Sequence, residues 1–203
     1  MRSAATLPKF LLDRLQSLEE SYLRSDDPML QSGFAGGAER WRLEREPILE
    51  AIPQSGELLD TCCANGYLLE CLMQWGRERS LEITPFGIDQ GSRLIEAARR
   101  RLPEFAENLH VANAWDWLPP RRYRYVYTLW DCVPEAWLAE FVARLIERYV
   151  EPGGRLILGA YGNRSRKEWP FDVAQFLDST GHRVAGTATG GDPPIARFAW
   201  VQR

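Results

Sequence analysis

A short loop between a predicted strand and a predicted helix carries the residues best placed for chemistry. The segment Asp60-Thr-Cys-Cys-Ala-Asn-Gly66 follows the apolar pair Leu58 and Leu59 and precedes an apolar run that begins at Tyr67. A loop of this kind presents backbone N–H groups to a ligand at the carboxyl end of a parallel strand. Asp89 ends the next predicted strand, where a carboxylate can accept hydrogen bonds from two ribose hydroxyls. The pattern predicts a site for a nucleotide-type ligand.

A dinucleotide-binding loop is one interpretation of this segment. Such a loop carries G-x-G-x-x-G, in which each glycine relieves a particular steric conflict. The corresponding positions here are Cys62, Ala64 and Tyr67, and none of them is glycine. Asp89 suits either kind of nucleotide ligand and does not discriminate. The loop therefore disfavours a nicotinamide-dependent oxidoreductase.

The elements that position this loop alternate between strand and helix. Strands are predicted at 58–61, 84–89, 109–112, 125–129 and 155–160, with helices at 67–75 and 92–102 and from Pro134 to Tyr149. Strands separated by helices of about ten residues indicate βαβ units and a parallel sheet. A helix at 169–179 and strands at 182–189 and 195–202 follow, and the short connection between those strands requires an antiparallel pair. A turn is predicted at 152–154.

Composition excludes several classes of protein. The net charge of -3 gives no electrostatic reason to expect a nucleic acid or an anionic membrane as partner. No apolar run approaches the roughly 18 residues of a membrane span, and the N-terminus does not have the pattern of a signal peptide. The four cysteines form no C-x-x-C pair and both histidines are isolated, so no metal site is expected. We expect a cytoplasmic protein in a reducing compartment, with Cys71 and Cys132 as apolar fillers.

Five segments in order resemble the motifs of class I S-adenosylmethionine-dependent methyltransferases. The first is the loop from Asp60 to Gly66, which resembles an acid followed by a glycine-rich turn. The other four are Gly87-Ile-Asp-Gln90, Val111-Ala-Asn-Ala-Trp115, Tyr125-Val-Tyr-Thr-Leu-Trp130 and Glu151-Pro-Gly-Gly-Arg-Leu-Ile-Leu158. The resemblance covers residues 55–203 and implies a Rossmann-like, doubly wound α/β fold. It implies a mostly parallel seven-stranded sheet with a final antiparallel strand.

The resemblance also implies which residues hold S-adenosylmethionine. Backbone amides of the loop are expected to face the methionine carboxylate, with Asp60 near the cationic amino group and Asp89 on the ribose hydroxyls. The residues expected at the methionine half are Asp60, Cys62, Cys63, Ala64 and Gly66. Those expected around the ribose, the adenine and the methyl group are Asp89, Gln90, Asn113, Ala114, Trp115, Thr128 and Leu129.

Two loop positions replace the glycine that such loops usually carry. Ala64 is tolerable if its φ is negative. Cys62 adds a side chain where backbone and ligand approach closely, so either its thiol points into the sheet or the loop lies farther from the ligand.

Asp131 and Trp130 follow the fourth strand and are the candidate catalytic residues. Asp131 is a candidate base or substrate anchor, and the alternative is a turn cap before Pro134. Trp130 could face the sulfonium or an aromatic substrate, and the alternative is a wall of the core. Methyl transfer from a sulfonium needs alignment more than a particular residue type, so the sequence alone does not fix the catalytic group.

Residues 1–54 are predicted to form an N-terminal helical cap over a core at 55–203. Helical spacing predicts a helix at 6–24 and another at 39–52 with a kink at Pro47, joined by a glycine-rich loop that is either a lid or a passive linker. The substrate-pocket candidates are Tyr22, Phe34, Trp41 and Tyr161. An enclosed pocket favours a small-molecule substrate over nucleic acid or protein. A degenerate, noncatalytic binding domain of the same fold is the alternative, and the sequence does not give the oligomeric state.

Overall fold

Seven strands form a single sheet in the computed structural model, which describes residues 18–203. The strands are β1 (Gly56–Asp60), β2 (Ile83–Asp89), β3 (Leu109–Val111), β4 (Tyr123–Leu129), β5 (Val150–Tyr161), β6 (Val184–Gly190) and β7 (Ala196–Gln202). Their order across the sheet is β3-β2-β1-β4-β5-β7-β6. Strand β7 is antiparallel to both β5 and β6, and the other neighbouring pairs are parallel. The predicted fold class is confirmed, with the final strand inserted beside β5 rather than at the sheet edge.

Five α-helices flank this sheet in the described chain. They are α1 (Ala38–Arg45), α2 (Tyr67–Glu78), α3 (Ser92–Arg101), α4 (Glu135–Arg148) and α5 (Val173–Ser179). Short 3-10 turns lie at Leu30–Ser32, Glu46–Ala51, Pro103–Asn108 and Trp130–Cys132, and residues 18–22 are helical. Within residues 18–203, no helix combines the length and the apolarity needed to cross a bilayer.

Apolar side chains cover both faces of the sheet. Leu58 of β1 points to the face packed by α1, α2 and α3, while its neighbour Leu59 points to the face packed by α4 and α5. Helix α4 buries Leu138, Phe141 and Leu145 at helical spacing against that second face. Burial on both faces explains why the central strands are nearly continuous apolar runs.

The chain before β1 packs into the core of the first face. Trp41 of α1 and Ile48 of the following 3-10 turn are both almost fully buried there. The helix changes to 3-10 geometry at Glu46, one residue before the predicted kink at Pro47. Of the helix predicted at 6–24, residues 18–22 are helical and residues 23–24 form a turn, so the helix ends two residues earlier than predicted, and residues 6–17 lie outside the described chain. The division into a cap at 1–54 and a core at 55–203 stays a prediction.

Two local predictions were wrong. The expected turn at 152–154 is a bulge inside β5, because Gly153 N–H donates to Arg203 O and Arg203 N–H donates to Gly154 O. Backbone pairing with the C-terminal residue keeps this segment in the sheet. The helix expected from residue 169 begins instead at Val173, where the Asp172 carboxylate accepts a hydrogen bond from the Gln175 N–H and caps the helix.

Candidate functional site

The loop after β1 is built on one buried acid and one glycine. Asp60 is 2% exposed and its Oδ1 accepts the Cys62 N–H at 3.0 Å, which turns the chain sharply out of the strand. Gly66 has φ +74°, and a Cβ at this position would lie 3.1 Å from the Ala98 Cβ of α3. Glycine is therefore required both by the backbone angle and by the close approach of α3. Helix α2 begins directly after it.

Ala64 adopts a conformation that the sequence did not predict. Its φ is +45°, in the left-handed region, so the condition under which alanine would be tolerated here, a negative φ, is not met. For a residue with a Cβ this conformation costs about 1–2 kcal/mol. The Ala64 N–H donates to Asp89 Oδ2 at 2.9 Å, and this bond between the two loops helps to hold the strained residue.

Asp89 ties together the ends of β1 and β2. Besides the Ala64 bond, its Oδ1 accepts the Gly91 N–H at 2.8 Å. Burial raises the pKa of this carboxyl above its ordinary value, whereas the bonds from Gly91 and Ala64 oppose the rise. The carboxylate lines a cavity at the carboxyl edge of β1, β2 and β4. It therefore has both a structural role and access to a ligand.

The cavity has a volume of about 230 Å³, and half of the predicted site residues line it. The predicted residues that line it are Tyr22, Cys62, Ala64, Asp89, Gln90, Asn113, Ala114, Leu129 and Asp131. The lining residues that sequence reasoning missed are Leu18, Glu19, Ser32, Thr61, Gly91, Leu94, Ala112 and Cys132. Several of the missed residues directly follow or precede a predicted one, and strand-end position would have identified these neighbours.

Acidic side chains dominate the electrostatics of the cavity. Glu19, Asp89 and Asp131 line it, and none of the lining residues within 18–203 is lysine, arginine or histidine. Burial raises the pKa of the Tyr22 hydroxyl, and the charges of Asp131 and Asp89 raise it further. Such a cavity favours a cationic ligand and disfavours a pyrophosphate.

The segment before α1 closes the cavity through specific contacts. Glu19 Oε1 accepts the Arg93 N–H at 2.9 Å, at the N-terminal turn of α3. Tyr22 packs on Gly33, where any Cβ would lie 2.5 Å from the tyrosine hydroxyl. The Ser32 hydroxyl donates to Asn65 Oδ1 at 2.8 Å. This segment is thus fastened to the loop after β1.

Five of the predicted cofactor or catalytic side chains lie beside the cavity rather than on it. Cys63 points toward Gly87 inside the sheet, and the Thr128 hydroxyl bonds that of Thr61 at 2.8 Å. Trp115 packs against Trp137 and Phe141 in the core. The Trp130 ring stacks on Phe171 at 4.5 Å, and Asp60 lies beneath the loop. Gly66 also lies outside the lining, behind the loop.

Three of the four predicted substrate-pocket residues surround an arginine instead. The guanidinium carbon of Arg45 lies 4.2 Å from the ring centre of Phe34, 4.0 Å from that of Trp41 and 4.4 Å from that of Tyr161. None of these three rings lines the cavity, whereas Tyr22 does. Phe34 therefore covers a cation rather than the cavity.

A disulfide joins Cys62 to Cys132 across the cavity. The expectation that Cys132 is an apolar filler was wrong, and the Cys62 thiol points neither into the sheet nor away from the cavity. The two residues are 70 positions apart, but β1 and β4 are neighbours and end at the same edge. Cys63 and Cys71 are free and buried.

The buried carboxyl of Asp60 is expected to make the stability of the protein depend on pH. Burial, reinforced by the charge of Asp89, raises its pKa from 3.8 to about 7, against the opposing bond from Cys62. Burial raises the pKa of Tyr127, Tyr161 and Cys63, and the charge of Asp60 raises each of them further. The folded chain therefore holds a proton that the unfolded chain has released between about pH 4 and 7, and stability falls as pH rises through this interval.

We expect Asp60→Asn to remove this contribution. The free energy of unfolding of the original chain, minus that of the variant, should decrease with rising pH by up to about 1.4 kcal/mol per unit. Urea denaturation in steps of about half a unit between about pH 4.5 and 7.5 covers this interval and measures the difference. Asp178→Asn, at an exposed position of α5, is the matched control. A difference that does not change with pH would contradict the assigned shift.

Solved structures match this chain over most of its length at low sequence identity. No protein-family model and no curated protein sequence matches the chain. The N-methyltransferase NodS from Bradyrhizobium japonicum WM9, in complex with S-adenosyl-L-homocysteine, gives a TM-score of 0.65 at 13% identity over 93% of this chain and 97% of its own.

Two further structures give a similar result. A SAM-dependent methyltransferase from Aquifex aeolicus has a TM-score of 0.60 at 16% identity, over 90% of this chain and 97% of that one. The glycopeptide N-methyltransferase MtfA, complexed with S-adenosyl-L-homocysteine, has a TM-score of 0.59 at 15% identity, over 88% of this chain and 99% of that one. Together with the strand order, these similarities show that the chain has the fold of class I S-adenosylmethionine-dependent methyltransferases.

Proposed function

We propose that this protein is an S-adenosylmethionine-dependent methyltransferase that acts on a small molecule. The observation that carries the proposal is the acid-lined cavity at the carboxyl edge of β1, β2 and β4. In open α/β sheets, ligands bind at this edge, where the strand order reverses. The positive charge of a sulfonium cofactor complements Glu19, Asp89 and Asp131.

The cavity residues fit the parts of this cofactor. Asp89 is suited to the ribose hydroxyls, whereas Asp60 does not line the cavity and holds the loop above it through the Cys62 N–H. Asn113 and Gln90 are hydrogen-bonded to each other at 3.2 Å and present amide groups for the adenine. When bound, S-adenosylmethionine supplies an electrophilic methyl group on a positively charged sulfur. The protein's own contribution is to align the acceptor and exclude water, which can be worth effective molarities on the order of 10⁵ M or more.

Asp131 and Tyr22 are the groups best placed to act on a methyl acceptor. Both line the cavity, and the charge of Asp131 raises the Tyr22 pKa. In the proposal, Asp131 accepts a proton from the acceptor or anchors it, and the Tyr22 hydroxyl donates a hydrogen bond. Trp130 is a positioning residue, because its stacking on Phe171 orients the turn that carries Asp131.

A noncatalytic binding domain of the same fold is the second candidate. The left-handed Ala64 and the Cys62–Cys132 bridge both alter the loop that would contact the cofactor, and they favour this alternative. An oxidoreductase is less well supported, since a nicotinamide dinucleotide would place a pyrophosphate among carboxylates.

Calorimetry with S-adenosylhomocysteine, before and after addition of a reductant, tests the proposal. We expect binding in the reduced protein. Absence of binding heat at millimolar ligand in both the oxidised and the reduced protein would contradict the proposed function.

Turnover is measured by mass spectrometry as S-adenosylhomocysteine released with a panel of small amines, phenols and acids. Asp131→Asn should lower turnover about 10²- to 10⁴-fold if Asp131 is a general base, with unchanged S-adenosylhomocysteine affinity. Binding without turnover on the whole panel would favour the noncatalytic domain.

A further inference from the structure

Three arginines share one buried carboxylate beside α1. Glu44 Oε1 is 2.9 Å from Arg40 Nη2 and 3.6 Å from Arg164 Nε, and Glu44 Oε2 is 3.7 Å from Arg45 Nη1. The side chains of Glu44 and Arg45 are only 5% and 8% exposed. Three positive charges face one negative charge here, so this arginine cluster (Arg40, Arg45 and Arg164 around Glu44) has an excess of positive charge.

Two donors of the arginine cluster lack a hydrogen bond. Arg45 Nη1 and Arg164 Nε are buried, and no group within residues 18–203 accepts a hydrogen bond from either. Their ion partner Glu44 lies at 3.7 and 3.6 Å, beyond hydrogen-bond distance. Buried polar groups are nearly always hydrogen-bonded, and a charged donor without such a bond is the costliest exception. The single carboxylate of Glu44 therefore does not satisfy the cluster, and the two donors without a hydrogen bond suit an anion.

Aromatic rings restrict how that anion can approach. Phe34, Trp41 and Tyr161 pack around the Arg45 guanidinium at 4.0–4.4 Å, which fixes it and keeps it dry. Arg45 Nη1, the buried donor without a hydrogen bond, lies at the edge of this guanidinium. A guanidinium edge matches a carboxylate in geometry, and such a bond is stronger in a desolvated setting.

The arginine cluster lies next to the candidate active site. Tyr161 ends β5 and its hydroxyl is 3.1 Å from that of Tyr127, the strand neighbour of Asp60. One loop connects the two regions, because Ser32 lines the cavity while Phe34 covers Arg45. Gly33 and Gly37 flank Phe34 with φ of +75° and +79°, so the loop has glycine hinges at both ends. Displacing Phe34 would uncover one side of the Arg45 guanidinium.

We propose that Arg45 and Arg164 bind a carboxylate of the methyl acceptor, which makes the acceptor a small organic acid. This proposal rests on the proposed function and names its substrate class. We assign the carboxylate to the acceptor and not to the cofactor because the arginine cluster lies beyond Tyr127 and Tyr161, away from the loop after β1 that would contact the cofactor.

Matched acid–amide pairs test the proposal. Benzoate and benzamide, anthranilate and anthranilamide, and glycine and glycinamide are titrated calorimetrically into the reduced protein, with and without S-adenosylhomocysteine. We expect at least one acid to bind about 10- to 100-fold more tightly than its amide, the factor that a desolvated charge-assisted bond supplies. Arg45→Met and Arg164→Met should each abolish this preference and leave S-adenosylhomocysteine affinity unchanged.

The variants separate the possible failures. The Arg164→Met variant leaves the aromatic rings around Arg45 in place, so it still tests the acid preference if Arg45→Met does not fold. Arg42→Met is the matched control, since Arg42 lies on the same helix and pairs with Glu46 and Glu78 at the surface. No acid preference, or a preference that survives both variants, overturns the proposal, as does a loss of S-adenosylhomocysteine affinity in Arg45→Met. Acid preference in a protein that binds no S-adenosylhomocysteine would instead overturn the proposed function.

Discussion

Asp89→Asn is expected to weaken S-adenosylhomocysteine binding by about a hundredfold, or about 2.7 kcal/mol. The carboxylate already accepts the Ala64 and Gly91 N–H groups, and its remaining lone pairs face the cavity. Asparagine keeps the shape but has one acceptor oxygen and no charge. It therefore loses charge-assisted bonds to the ribose and turns an amide N–H₂ toward one backbone donor. Isothermal titration calorimetry of the reduced protein measures the loss.

Two controls separate a loss of binding in Asp89→Asn from a loss of structure. Asp178→Asn makes the same chemical change at an exposed position of α5 and should bind as the original chain does. Denaturation curves of the Asp89 variant show whether the loop itself has come apart, since both loop bonds depend on this residue. Unchanged affinity in a folded Asp89→Asn protein would mean that the cavity binds no ribose.

Reduction of the Cys62–Cys132 bridge is expected to raise S-adenosylhomocysteine affinity by at least about tenfold, or about 1.4 kcal/mol. The bridge joins the loop after β1 to the turn after β4, and both cysteines line the cavity. The cavity volume of about 230 Å³ is below the roughly 300–1,000 Å³ of small-molecule sites. We expect the loop and the turn to separate when the cofactor binds, and the bridge to oppose that movement.

Calorimetry with and without a phosphine as the reductant measures this effect. In the presence of water, the phosphine reduces the disulfide to two thiols and is itself oxidised to the phosphine oxide. The Cys132→Ser variant should bind S-adenosylhomocysteine tightly without reductant. The Cys71→Ser variant, changed at a buried free cysteine, should still require the reductant for tight binding. Cys62→Gly removes the side chain as well as the bridge and should bind at least as tightly as Cys132→Ser. Equal affinities in the oxidised and reduced protein would contradict a restraining bridge.

The cysteines and Phe34 mark where prediction from sequence ended. The side chain of Cys62 was recognisable as an intrusion into a close-contact loop, but its partner is 70 residues away and the spacing has no disulfide pattern. Phe34 has the composition of an apolar plug on a glycine-rich loop. Its actual contact, Arg45, lies on the next helix, and no local periodicity predicts which ring a guanidinium will meet.

The sequence by itself determined the alternation of strands and helices, the antiparallel β6–β7 pair and the strand-end positions of Asp60, Asp89 and Asp131. These follow from local spacing, turn residues and the polarity of parallel strands, all of which are written in consecutive residues. Only the tertiary structure decided which side chains face the cavity, the positive φ of Ala64, the Cys62–Cys132 pairing and the arginine-cluster donors that lack a hydrogen bond. Those features arise where segments distant in the chain meet at one sheet edge, and their geometry depends on packing that neither segment encodes alone.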